Sequence, residues 1–237
     1  MNILALDTSG VTASVAILQD ETVLAEMFLN LSRNHSEILL PTIDYLLIAT
    51  GLELRAIDVF ACTVGPGSFT GIRIGVGTIK GLALAVDRPI VGLSALEVLA
   101  MNVIGFQRKI CPMIDARREQ VYTGLYDDNG PDELTNIVPE RLINANDFLE
   151  LIVGETVFIG TGAVKYRDII QRRLSGKAYF VVGHLHQVHA SAVGVLAGRK
   201  ALAGGLTDAV KLVPLYLRHS EAEEKWIASV DITGKFS

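Results

Sequence analysis

Apolar residues run along this chain in two periods. Residues 2–7 (Asn-Ile-Leu-Ala-Leu-Asp) are an apolar run closed by an acid, and read as a strand. Residues 8–12 are polar and read as a turn; 13–18 and 23–29 read as a second and a third strand. From about 34 to 49 the period becomes helical, with Leu39, Ile43, Leu46 and Leu47 on one side. A β-branched run at 57–64 predicts a buried strand, followed by a helix over 69–86, a short strand at 90–93 and a helix over 94–104. The order is β-β-β-α-β-α-β-α.

The same order then returns. Residues 109–115 and 120–126 predict two strands, and the Asp-Asp-Asn-Gly at 127–130 is a turn signal before a third strand at 134–138. Helices are expected at 146–151, 164–174 and 191–202, with strands at 156–159 and 178–182. Both halves open alike: Leu4-Ala5-Leu6-Asp7 closes one first strand, Pro112-Met113-Ile114-Asp115 the other. The expected division is 1–105, 106–218 and a tail at 219–237. This predicts an α/β protein made of two RNase H-like halves. Such a pair, with an acid ending each first strand, resembles the actin-like (ASKHA) superfold of actin, sugar kinases and heat-shock chaperone ATPases. That resemblance implies a nucleotide and metal between the two acids. Fold alone does not assign function.

Composition narrows the classes. The chain has 237 residues and a formal net charge of −5, against free-standing nucleic-acid binding through phosphate neutralisation. Arg73, Lys80 and Asp87 interrupt the longest apolar helix, against a transmembrane span. Cys62 and Cys111 lie in strand-like apolar runs and read as buried thiols. Met1 leads straight into a strand, so a cytoplasmic protein is expected.

Residues 65–71, Gly-Pro-Gly-Ser-Phe-Thr-Gly, join a strand to a helix. Ser68 and Thr70 suit an N-cap. A glycine-rich turn at a helix N-terminus is either an anion site or a tight turn; the Gly-Lys-Ser/Thr of a P-loop is absent. The helix then carries two rows of small residues four apart: Gly71 with Gly75, and Gly77 with Gly81 and Ala85. Each interior glycine costs about 1 kcal/mol relative to alanine, and close backbone approach offsets it. That approach is to the protein's own sheet, to a second subunit, or to both.

Asp7, Thr8 and Ser9 stand where the superfold places its first phosphate loop, and read equally as a hairpin turn. Gly160-Thr161-Gly162 stands at its second nucleotide turn, but a lone Gly-Thr-Gly is weak evidence and a plain strand-to-helix turn is the commoner reading. Asp115 lies in a charged turn with Arg117, Arg118 and Glu119. His184, His186 and His189 have metal-compatible donors, but no cysteine or carboxylate accompanies them in that window, so no metal site is assigned. His-Glu-x-x-His and Gly-x-Ser-x-Gly are absent.

The strings ILALDTS (3–9), GPGSFTGIR (65–73), IDAR (114–117), FIGTGA (158–163) and PLYLR (214–218) occur in this order. Together they resemble the TsaB (YeaZ) family over nearly the whole chain. The resemblance implies a non-catalytic partner of a TsaD-like catalytic subunit and a TsaE-like ATPase in making threonylcarbamoyladenosine beside the anticodon of ANN-decoding tRNAs. It implies contact with tRNA only through the complex, self-association when the catalytic subunit is absent, and no cofactor beyond weak nucleotide binding. Where TsaD-like chains carry a metal-binding His-x-x-x-His pair, this chain has Ala95 and Leu99. The partner surface implied is the helices at 34–49 and 69–86, with Leu40, Gly71, Ile72, Gly75, Val76 and Ile79 as candidates. Asp7, Thr8, Ser9, Asp115, Gly160 and Gly162 would mark a vestigial nucleotide cleft. The competing class is an active enzyme of the superfold: a nucleotide-dependent phosphotransferase, which needs Asp7 and Asp115 to hold a metal–nucleotide complex, or a metallopeptidase, which needs a metal pair that the sequence does not offer.

Overall fold

The computed structural model describes residues 1–31, 34–130 and 133–218; the expected tail at 219–237 lies outside them. Strands β1 (Asn2–Asp7), β2 (Ala13–Gln19) and β3 (Thr22–Leu29) form an antiparallel meander. After α1 (His35–Thr50), β4 (Val59–Gly65) lies parallel to β1. After α2 (Phe69–Ala85), β5 (Ile90–Ser94) lies parallel to β4. The sheet order is β3-β2-β1-β4-β5. Helix α3 (Ala95–Met101) follows, and the second half begins with β6 (Lys109–Asp115), β7 (Gln120–Asp128) and β8 (Leu134–Asn144). Then come α4 (Ala145–Leu149), β9 (Thr156–Ile159), α5 (Thr161–Lys165), α6 (Arg167–Arg173), β10 (Ala178–Phe180) and α7 (Ala190–Leu202). Its sheet order is β10-β9-β6-β7-β8, the first order read from the other edge.

Period-2 alternation sorts the side chains into layers. Leu4 and Leu6 of β1 pack with Leu39, Ile43, Ile72, Val76 and Ile79, which α1 and α2 lay on one face of the first sheet. Ile3 and Ala5, pointing the other way, join α3, α7 and residues of the second sheet such as Ile110, Val157 and Ile159. The outer face of the second sheet carries α4, α5 and α6 around Phe148, Phe158 and Ile170. Five layers result, with α3 and α7 shared between the two sheets.

Helix α7 comes late in the chain but rests on β1, β2, β4 and β5. Gly194 permits this, because a Cβ there would collide with Leu18. The start of α7 is held by strands of the first sheet: Ala190 N donates to Ser14 Oγ (3.0 Å) and Ser191 N to Glu26 Oε1 (3.1 Å). A carboxylate at a helix N-terminus meets both orphan N–H groups and the helix dipole. His189 Nδ1 lies 3.6 Å from the same carboxylate, its ring stacked on Phe28 at 4.9 Å.

Three elements depart from the sequence expectation. The helix expected over 164–174 is two helices, α5 and α6, meeting at Tyr166 (φ −101°, ψ 15°), whose ring is buried in the outer core of the second sheet. The strand expected to end at 138 continues to Asn144, paired along β7. The helix expected over 94–104 ends at Met101, where Asn102 Nδ2 donates to the carbonyls of Leu185 (3.2 Å) and Gln187 (2.9 Å).

The contact at the start of α7 titrates. Burial raises the Glu26 pKa, but hydrogen bonds from His189 and Ser191 outweigh it and hold the group at about 2, below the ordinary 4.5. The same hydrogen bond raises His189 above 6.5. The carboxylate's contribution is present above pH 4.5, and the imidazolium's is present below pH 6.5 and lost as pH rises through its raised value. His189→Gln therefore costs most stability between pH 4.5 and 6.5, and the gap in urea midpoint narrows on the alkaline side. A gap that stays constant into the alkaline range would contradict this pairing.

Candidate functional site

Two features carry candidate chemistry: the end of the sheets where Asp7 and Asp115 lie, and the outer face of α1 and α2. Asp7 is 1% exposed. Its Oδ1 accepts from Ser9 N (3.1 Å) and from the Thr63 hydroxyl, while its Oδ2 is buried without a hydrogen-bond partner. Burial pushes its carboxyl pKa above the ordinary 3.8.

The glycine-rich turn explains what surrounds Asp7. Gly65-Pro66 is a cis peptide. Ser68 N donates to Ser9 O (2.7 Å) and Thr8 Oγ1 to Gly71 O (2.8 Å). Ser68 Oγ caps α2 by accepting from Gly71 N (3.2 Å). A Cβ at Gly67 would strike Ser9 O, at Gly71 Thr8 O, and at Gly75 Thr8 Oγ1. The glycines let the first turn of α2 lie directly on the turn after β1.

The counterpart turn is closed in its own way. Asp115 binds Lys165 Nζ through both oxygens (2.9 Å each) and accepts from Arg117 N (3.1 Å). Gly160 (φ +101°) and Gly162 lie against the Met113 backbone, where a Cβ on Gly160 would strike its carbonyl oxygen. Gly160 N donates to His186 Nδ1 (3.0 Å), and burial lowers the pKa of that imidazole. His189 turns to Glu26, so the three histidines do not converge, and no metal-holding cluster occurs among the described residues. Ala95 and Leu99 are core residues of the central layer. These groups do not fit a nucleotide–metal complex: the donors that would face phosphate, the Thr8 hydroxyl and the Ser68 N–H, are spent on the carbonyls of Gly71 and Ser9, and Asp115 is neutralised by Lys165.

The two glycine rows of α2 separate. Gly71 and Gly75, with Ile72, Val76 and Ile79, face the protein's own sheet, and Val76 at 4% is the most exposed of these three side chains. These five residues cannot line an exposed partner face. The correction has a simple reason: they share the helical side that meets Leu4, Leu6 and Thr8. Gly77 and Gly81 face outward, and no described residue comes within 4 Å of a Cβ at either. Leu84, on the same helix, is exposed, as are Leu40 (54%), Tyr45 and Ile48 (73%) on α1. Tyr45, Ile48 and Leu84 escape a motif search. Their signal is that α1 carries more apolar residues than one side of a helix can bury.

The segment around 210–218 borders this face and ties the halves together. Lys80 Nζ donates to the carbonyls of Val210 (3.0 Å) and Leu212 (2.9 Å), and Arg73 stacks on Phe69 (3.7 Å) while donating to Tyr216 Oη (2.9 Å). Leu215 N donates to Val64 O (2.7 Å), and Arg218 Nη1 to Ala116 O (2.8 Å) in the second half.

Two like-ordered five-stranded sheets with helices between and outside them define the actin-like class of α/β proteins. The (R)-2-hydroxyglutaryl-CoA dehydratase component A of Acidaminococcus fermentans shares the fold at a TM-score of 0.52 and 12% identity, covering 85% of this chain and 99% of that one. Residues 22–226 match the family model described as TsaD, tRNA N6-adenosine threonylcarbamoyltransferase. The chain is 38% identical to the tRNA threonylcarbamoyladenosine biosynthesis protein TsaB of Bacillus subtilis, over 97% of this chain and 99% of that protein. It is 32% identical to YeaZ of Pseudomonas aeruginosa, with a TM-score of 0.79 over 91% of this chain and 99% of that one. The chain belongs to the TsaB (YeaZ) family of TsaD-related proteins.

The split between glycine rows has a direct test. Gly77→Ala and Gly81→Ala each raise unfolding stability by about 1 kcal/mol, because the Cβ enters open space. Gly75→Ala lowers it, because the Cβ meets Thr8 and Leu6. Urea titrations read both signs, and an equal effect at the three positions would refute the assignment. Asp7→Asn is neutral or stabilising at pH 7.5 and loses that advantage as pH falls towards 3.8, because the buried carboxylate is the disfavoured form. A stability cost at pH 7.5 that persists at low pH would overturn this reading.

Proposed function

We propose that this chain is the non-catalytic subunit of a tRNA threonylcarbamoyladenosine-forming complex, and that it docks a TsaD-like catalytic partner on the outer face of α1 and α2. The observation that carries this reading is the open pair Gly77 and Gly81. Two glycines inside a helix cost about 2 kcal/mol together, and none of the described residues uses the space they leave. A helix from another chain, approaching backbone to backbone, does use it. Leu40, Tyr45, Ile48 and Leu84 then supply apolar area around the close approach.

The non-catalytic part of the reading is supported by the groups around Asp7 and Asp115, which serve the fold, and by Ala95 and Leu99, which only pack. Self-association through the same face, when the catalytic partner is absent, follows from the same exposed groups. A TsaE-like ATPase completes the assembly, which acts in the cytoplasm. No helix among the described residues is long and apolar enough to cross a membrane.

Size exclusion with light scattering, on the chain alone and mixed with its TsaD-like protein, tests the proposal. A stable mixed species is expected at micromolar concentration. Gly81→Arg keeps the unfolding midpoint at or above the wild-type value, yet abolishes the mixed species and threonylcarbamoyladenosine formation in a reconstituted reaction. Full assembly and activity by a folded Gly81→Arg chain would sink the proposed face.

A further inference from the structure

A second surface lies on the opposite side of the molecule, on the outer layer of the second sheet. Residues 165–177 hold Lys165, Arg167, Arg172, Arg173 and Lys177, all exposed, with Asp168 the only acid among them. This is a cationic island on a chain of net charge −5.

Its cations are presented with little neutralisation. Among the described residues, Lys165 is the one of these five in a close pair, with Asp115. Arg173 reaches Glu150 only at 3.9 Å, and Arg172 Nε donates to the Asp168 carbonyl at 3.2 Å, which leaves its charge uncompensated by that bond. Arg167 lies over the Phe180 ring at 4.5 Å, a stack that holds the guanidinium at a fixed height on the surface. The surface is open to solvent: two shallow depressions meet at Arg172, one lined by Asp168, Gln171 and Arg172, the other by Asn146, Ile169, Arg172 and Arg173. Guanidinium groups grouped with side-chain amides are the donor set that binds phosphate and ribose oxygens without reading bases. The part played by the two arginines in the last turn of α6 as partners of its dipole accounts for their sign. It does not account for Lys165 and Arg167, which precede or open the helix.

The geometry points to a direct, sequence-independent contact between this α6 surface and the RNA backbone of the tRNA substrate, made once the chain is in its complex. The chain then contributes to substrate capture as well as to assembly, and the α1–α2 face remains available to the protein partner.

The inference rests on the complex proposed above, and the test keeps the two apart. Arg172→Glu/Arg173→Glu and the neutral Arg172→Gln/Arg173→Gln are mixed with the TsaD-like partner, and assembly is read first by size exclusion. It is expected to be unchanged, since α6 is remote from α1 and α2. An ANN-decoding tRNA transcript is then titrated over a salt series. The Glu pair lowers affinity at least about 5-fold at low salt, and the Gln pair falls between it and wild type. The slope of log affinity against log salt drops by about 0.7–0.9 for each phosphate that is no longer neutralised. Intact assembly with unchanged affinity and slope would overturn the RNA contact and leave the docking proposal standing. If no mixed species forms, the docking reading fails and the RNA contact, which is made in the complex, falls with it. Retention of wild type on anionic vesicles, with tRNA affinity unaffected by either pair, would also overturn it.

Discussion

The contact on which the rest of this structure depends is the close approach of α2 to the turn after β1. Gly67, Gly71 and Gly75 have no side chains, so Thr8 and Ser9 can sit against the loop and the first turns of the helix, held by hydrogen bonds from Ser68 N and Thr8 Oγ1. This places α2 on Leu4 and Leu6 and closes the core of the first sheet. It also takes up the groups that, in an open version of the same turn, would face a phosphate. A loop with the look of an anion site becomes a packing device.

From that contact the orientation of α2 follows. A helix turns 100° per residue, so fixing Gly71 and Gly75 inward sends Gly77 and Gly81 outward. The inner row offsets its helix cost through packing against β1. The outer row has no such return among the described residues, which is the physical basis for assigning the outer face to a partner. The central layer supports the same surface from behind. Helix α7, borrowed from late in the chain and held at its start by Ser14 and Glu26, fixes the first sheet against the second.

Much of the fold is legible in the sequence because its signals are local. Apolar runs ending at Asp7 and Asp115, turn residues at 127–130 and the helical period of 34–49 each depend on neighbours in the chain, and the duplicated order of elements follows from reading them in sequence. The family resemblance rests on strings such as Gly65–Arg73, equally local. The candidate site is less legible. Leu40 is outside, but Gly71, Ile72, Gly75, Val76 and Ile79 are inside. Both small-residue rows have the same spacing, and spacing carries no information about which side of a helix meets the sheet. The break at Tyr166 escapes the sequence for a related reason: the apolar period continues through it, and only the buried ring turns the axis.

The sequence by itself determined the two halves, the order of their elements, the place of the glycine-rich turn and the absence of the His-x-x-x-His pair, since each depends on residue identity and near-neighbour spacing. The tertiary structure decided which glycines pack and which lie open. It also decided that Asp7 is buried while Asp115 is paired with Lys165, and that α7 crosses to the first sheet. Each of those depends on which residues distant in the chain come within a few ångströms, and burial, charge pairing and steric room exist only at that range.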